Sequence, residues 1–108
     1  MARFDQLDVL AKDIAAKAFS SPESSYTAKL LAKGVEKCAK KFGEEAVELA
    51  LASVQGKREE TTKEAADVLY HLLVLLQAAG VSPAAVMEEL KRREGTSGLV
   101  EKASRKDD

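Results

Sequence analysis

Apolar residues recur at steps of three and four along most of the chain. Phe4, Leu7, Leu10, Ile14 and Ala18 predict an amphipathic helix over Phe4 to Phe19. It stops at Ser20-Ser21-Pro22, after which Ser24 or Ser25 is placed to cap a short helix from Tyr26 to Lys33, closed by Gly34. Val35 to Gln55 reads as a long helix rich in Ala, Glu, Lys and Leu, with Gly56 at its end. Gly43 inside it costs about 1 kcal/mol relative to alanine, which calls for a packing or functional reason. Lys57 to Glu60 reads as a polar connector, Thr61 or Thr62 as the cap of a helix running to Ala79, and Gly80 as its terminator. Ser82 followed by Pro83 starts a last helix through Arg93, and the polar tail from about residue 95 is expected to be irregular. No strand-like alternation, repeat or low-complexity stretch interrupts this pattern. The expected fold is therefore all-α, an antiparallel bundle of four to five helices forming one domain over residues 1–108.

The two long helices are unusually apolar. On Val35 to Gln55 the residues Val35, Cys38, Phe42, Ala46, Val47, Leu49, Ala50, Leu51 and Val54 cover well over half of the circumference, which predicts burial on several sides. Lys37, Lys41, Glu44, Glu45 and Glu48 share the remaining arc. On the next helix the polar groups shrink to one narrow row, Glu60, Glu64, Asp67 and His71, stacked turn upon turn.

These rows contain two matched pairs, Glu45 and Glu48 as E-x-x-E, then Glu64 and Asp67 as E-x-x-D. If the two helices pack antiparallel, the four acids converge. Each pair of unit charges near 4 Å would then repel by about 4 kcal/mol at the effective dielectric of a protein surface. A divalent cation relieves that repulsion. An all-oxygen carboxylate set favours magnesium or manganese over zinc, and magnesium reaches substrate phosphates as well. Acids at helical spacing are most often a solvated face, but such faces are wide and mix both signs, whereas Glu60-Glu64-Asp67 is narrow, single-signed and embedded in apolar sequence.

Composition narrows the function classes. The 108 residues are 45% hydrophobic and 32% charged, as in a globular protein, and the formal net charge of −1 gives no global field for nucleic acid or an anionic membrane. One cysteine, Cys38, and one histidine, His71, can form neither an internal disulfide nor a structural zinc site. No signal-like or membrane-spanning apolar run appears, so the chain reads as soluble and cytoplasmic. At this length a monomer buries only about two-thirds of its unfolded surface, and a partner subunit would supply further core.

The runs KKFGEEAVELALA (Lys40 to Ala52) and EAADVLYHLLVLL (Glu64 to Leu76) closely resemble the phosphoribosyl-ATP pyrophosphatase family of the all-α nucleoside-triphosphate pyrophosphatases. SSYTAKLLAKG (Ser24 to Gly34) and EGTSGLVEKASR (Glu94 to Arg105) look like further segments of that family, so the likeness spans about residues 4 to 105. Phe42 stands where the family commonly has a smaller aliphatic residue, and Lys17 where it often has arginine. The resemblance implies hydrolysis of phosphoribosyl-ATP to phosphoribosyl-AMP and pyrophosphate, the second step of histidine biosynthesis. It also implies a homodimer sharing one core, with the phosphoribosyl-AMP cyclohydrolase of the next step on a separate protein.

For that chemistry Glu45, Glu48, Glu64 and Asp67 are the expected magnesium ligands. Glu44 is placed either to ligate a second ion or to orient the attacking water as a general base. Lys37 and Lys41 are candidates for phosphate contact or for pairing with Glu44 and Glu45, and Arg92 and Arg93 for contact with the anionic substrate or for the helix dipole. Tyr26 and Thr27 are candidate substrate contacts through the Ser-Tyr-Thr segment, His71 is expected to support the ligands from behind, and Cys38 to lie in the core. Two rivals stand beside this reading: a house-cleaning pyrophosphatase of other nucleoside triphosphates, and a non-catalytic helical dimerisation module.

Overall fold

Each predicted helix forms, and the capping chemistry sets most of the boundaries. The computed structural model describes residues 4–95 together with Gly98 and Lys102. It holds α1 (Asp5–Lys17), α2 (Tyr26–Ala32), α3 (Val35–Val54), α4 (Arg58–Ala79) and α5 (Pro83–Arg92), and no strand among the described residues. Ser25 caps α2 by accepting the amide of Ala28 at 3.1 Å, and Ser82 caps α5 by accepting that of Ala85 at 3.1 Å, with Pro83 in the first turn. Gly80 ends α4 at φ +74°, a left-handed residue that lets the amide of Val81 reach back to the carbonyl of Leu76 at 2.9 Å. Of the tail expected to be irregular, only Gly98 and Lys102 are described, and both have helical backbone; the rest of that expectation lies outside the described residues.

The start of α4 differs from the expected one. The helix begins at Arg58, so the supposed connector Lys57 to Glu60 is mostly its first turn. Thr61 and Thr62 do not cap it. Their hydroxyls instead donate to the carbonyls of Lys57 and Arg58, at 2.7 and 3.0 Å, within the helix. Glu59 and Glu60 in the first turn suit the positive end of the helix dipole, which is the favourable term a propensity reading of a polar stretch overlooks. The turn from α3 to α4 is thereby reduced to Gln55, Gly56 and Lys57, and Gly56 at φ +71° supplies the left-handed residue so short a reversal needs.

That tight turn folds α3 and α4 into an antiparallel hairpin, the most extensive helix pairing in the molecule. The core lies toward the end of the hairpin away from the turn, where Ile14, Leu30, Cys38 and Val74 are buried together with Leu10, Leu31, Tyr70 and Leu73 packed against them. Cys38 thus takes the core position expected for it, and its thiol donates to the carbonyl of Leu30 at 3.3 Å. Toward the turn, α3 departs from expectation: Val47, Leu51 and Val54 are 60%, 52% and 83% exposed, so this half of the helix is buried only where it meets α4. A Cβ built on Gly43 meets no atom within 4 Å, so no packing within the chain requires the glycine there. Among the described residues no single helix is long and apolar enough to cross a membrane.

Ile14 is 1% exposed and carries the contact of α1 with this core. Ile14→Ala should lower the unfolding free energy by about 2–5 kcal/mol, read as a reduced urea midpoint with little change in slope.

Candidate functional site

The hairpin turn decides where the two acidic rows meet. Glu48 stands as far before the turn on α3 as Glu64 stands after it on α4, so an antiparallel pairing sets them opposite one another. One carboxylate oxygen each from Glu45, Glu48 and Glu64 lies within 4.8 Å of the others. Glu45 is buried, at 8% exposure, while Glu64 is half-buried and Glu48 open to solvent, so the cluster forms a mouth on the protein surface with Glu45 at its floor. Asp67, one turn beyond Glu64 and exposed, lies outside that tight group. Its charge nevertheless reaches the cluster. The Glu64 carboxyl is held above its ordinary value by partial loss of water first, and then by the negative charges of Glu48, Asp67, Glu45 and Glu60.

Among the described residues one cation answers these acids directly. Lys41 Nζ lies 3.4 Å from Glu45 Oε2, and the partnership holds the Lys41 ammonium above its usual value. The donor set itself contains oxygen only, with no thiolate or imidazole, and this suits a hard divalent cation such as magnesium better than zinc. His71 stands on α4, one turn beyond Asp67. It is buried, its ring meets Tyr70 edge-on at 5.0 Å between centroids, and burial pushes the imidazole below its ordinary value against the pull of Glu45 and Asp67.

Beside the cluster, toward the start of α3, a groove of about 300 Å³ opens along α2 and α3. Lys37 and Lys41 line it as the acidic-face reading anticipates, and so do Lys29, Lys33 and Lys40. Glu44 faces this groove, next in sequence to Glu45 but absent from the tight carboxylate group. The Ser-Tyr-Thr segment divides in role. Tyr26 is exposed along the groove, whereas Thr27 is buried and its hydroxyl lies 2.6 Å from that of Tyr70, whose ring stacks near Tyr26 at 6.4 Å. Arg92 and Arg93 both close on Glu89 of their own helix, at 2.7 and 2.9 Å, and hold its carboxyl down to about 2. That local pairing engages both side chains.

Lys29, Lys33, Lys40 and Tyr70 escape the reading of the sequence. Lys29 and Lys33 are four apart on one helical row, a visible signal, but a row of lysines on a short helix is ordinary solvated surface until α2 folds against α3. No local pattern marks Tyr70 as the partner of Thr27, because the two are 43 residues apart.

Comparison with known proteins bears on the same segments. A model of the family described as phosphoribosyl-ATP pyrophosphohydrolase matches residues 7–94, a span that takes in the carboxylate cluster, the groove and all five helices but for the first residues of α1. A phosphoribosyl-ATP pyrophosphatase of Dinoroseobacter shibae is 61% identical over 102 residues, covering 92% of this chain and 100% of the relative. One from Cereibacter sphaeroides is 60% identical over 92% of this chain and 96% of its own length. Another from Paracoccus denitrificans is 61% identical over 90% of each. Identity at this level across nearly the full length of both partners leaves no room for a different fold or a grafted motif, and the chain belongs to the phosphoribosyl-ATP pyrophosphohydrolase family.

Proposed function

We propose that this chain hydrolyses phosphoribosyl-ATP to phosphoribosyl-AMP and pyrophosphate, the second step of histidine biosynthesis, in the cytoplasm and with magnesium held by Glu45, Glu48, Glu64 and Asp67. The family membership and the names of the relatives support the reaction, and the convergence of Glu45, Glu48 and Glu64 within 4.8 Å carries the site. Three like charges at that separation are unfavourable without a cation, and among the described residues Lys41 is the cation that pairs with them. Magnesium, when bound, neutralises charge on the polyphosphate and makes a bound water more acidic.

The chain's own groups supply the rest. Glu45 at the floor of the cluster is held by its ion pair with Lys41. Asp67 completes the ligand set from the exposed side of α4, where its charge already reaches Glu64. Glu44, open to solvent where the groove meets the cluster, orients the attacking water as general base. Lys37 and Lys41 contact substrate phosphate, and Tyr26 lines the same approach. Thr27 acts through Tyr70, whose ring it fixes against Tyr26, and His71 backs the cluster from the core. No substrate contact is assigned to Arg92 and Arg93, since Glu89 engages both.

A second copy of the chain completes the fold in this proposal. Val47, Leu51 and Val54 fall four and three residues apart, a single apolar stripe exposed on the helix that also carries Glu45 and Glu48. Covering it would bury the face left open at the turn end of the hairpin, and would fix the backbone on which the ligands stand.

Three outcomes test this reading. Glu48→Gln should reduce magnesium-dependent release of pyrophosphate from phosphoribosyl-ATP by about 100-fold or more with the helical circular dichroism unchanged, and turnover near that of the parent chain would reject the ligand set. Glu64→Gln, which removes one of the crowded charges, should raise the melting temperature of the metal-free protein by roughly 1 to 4 °C while abolishing the further rise that magnesium gives the parent. Leu51→Glu should convert the dimer to a monomer in sedimentation, and a variant that sediments as the parent does would exclude the stripe as the interface.

A further inference from the structure

The chain carries a net charge of −1, yet five of its seventeen basic residues line one groove. Lys41 alone among them is paired, with Glu45; Lys29, Lys33, Lys37 and Lys40 make no ion pair among the described residues. Unpaired ammonium groups around a common cleft repel one another where they come within the roughly 10 Å over which salt leaves charges coupled. A solvated surface would spread them out or interleave acids, and Glu44 is the only acid on this lining. The cleft therefore presents positive charge awaiting an anion.

Its position tells which anion. The groove begins at Lys41, one helical turn before Glu45, and extends back along α3 to Lys37, about 12 Å before Glu45 at 1.5 Å of rise per residue. Lys29 and Lys33 of α2 close its other wall. A polyphosphate held at the carboxylates by a cation fills the near end. The remaining lysines then lie a nucleotide's length away, with the exposed ring of Tyr26 beside them to face a sugar or base. Phosphoribosyl-ATP differs from ATP by a second phosphorylated ribose, whose dianionic phosphate needs a counter-charge at a distance from the triphosphate. A groove of about 300 Å³ is at the small end of the range for ligand clefts and suits one sugar phosphate rather than a whole nucleotide.

We propose that Lys29, Lys33 and Lys40 form, with Lys37, the subsite for the phosphoribosyl phosphate, so that this groove distinguishes phosphoribosyl-ATP from free nucleoside triphosphates. The assignment of the substrate rests on the function proposed above, with the triphosphate at the carboxylate cluster. Lysine is a suitable cation here because it meets a phosphate as a point charge from several directions, without the fixed fork that arginine requires.

The test pairs kinetics with a binding measurement that needs no metal. The double variant Lys29→Gln, Lys33→Gln should raise KM for phosphoribosyl-ATP about tenfold or more and change kcat little, while the inhibition constant of ATP as a competitor stays as in the parent. An unchanged KM, or an equal loss of affinity for ATP, overturns the assignment. Ribose 5-phosphate carries only the distal end of the substrate, and calorimetric titration of metal-free parent protein with it should show saturable binding that the double variant weakens about tenfold. Absence of binding at millimolar ribose 5-phosphate overturns it too. The pair Lys29→Arg, Lys33→Arg, which keeps the charge, should retain affinity, and its failure alongside normal melting would do the same. Should the parent release no pyrophosphate at all, the catalytic reading falls, while the calorimetric result still decides the groove.

Discussion

The crowding of Glu45, Glu48 and Glu64 is the constraint on which the rest of the site depends. Three carboxylates within 4.8 Å repel, and only a backbone that holds them there against that repulsion can keep them poised for a cation. The α3–α4 hairpin provides that backbone. Its three-residue turn fixes the register of one helix against the other, and the apolar residues that fill both helices bind them side by side. Hydrophobic packing along the hairpin therefore offsets an electrostatic cost localised at its middle, an arrangement typical of functional sites that are strained until a ligand arrives.

Charge is segregated along the same helix. Within the first four turns of α3 the charged groups on this face pass from Lys37, Lys40 and Lys41 to Glu44, Glu45 and Glu48, so one helix contributes to a basic groove and an anionic mouth in succession. The two fields meet at the Lys41–Glu45 contact of 3.4 Å. On a chain of nearly balanced charge, this separation gives a polyanionic ligand an attractive patch beside a place where only a cation-bridged phosphate is tolerated. Basic and acidic side chains thus occupy neighbouring turns rather than one cluster of mixed sign.

Support behind these charges comes from uncharged groups. Thr27 and Tyr70 join through their hydroxyls at 2.6 Å, Tyr70 stacks near Tyr26 and meets His71 edge-on, and burial pushes the His71 imidazole below its ordinary value. The chain of contacts links the wall of the groove on α2 to His71 on α4, where the charges of Glu45 and Asp67 are felt. Its members are positioned by packing, so the ligand-facing side chains inherit the rigidity of the core formed by Ile14, Leu30, Cys38 and Val74.

Much of this was legible in the residues alone because helices are local objects. Periodicity at 3.6 residues, serine caps at Ser25 and Ser82 and the left-handed Gly80 are settled within a turn or two of chain, and so is the stacking of Glu45 with Glu48 and of Glu64 with Asp67 on their own helices. The family likeness was equally readable, since it lies in contiguous runs. Where local signals competed, the reading slipped: threonines that cap well elsewhere bond back to the preceding turn at Lys57 and Arg58, and the helix starts earlier. What only the tertiary structure decided is everything that depends on two helices meeting. That Glu45, Glu48 and Glu64 draw together more tightly than Asp67, that Glu44 turns toward the lysines, that Val47, Leu51 and Val54 are left open, and that α2 closes a basic groove are consequences of register and crossing. Such relations arise from contacts between residues far apart in the chain, and no periodicity within a single helix encodes them.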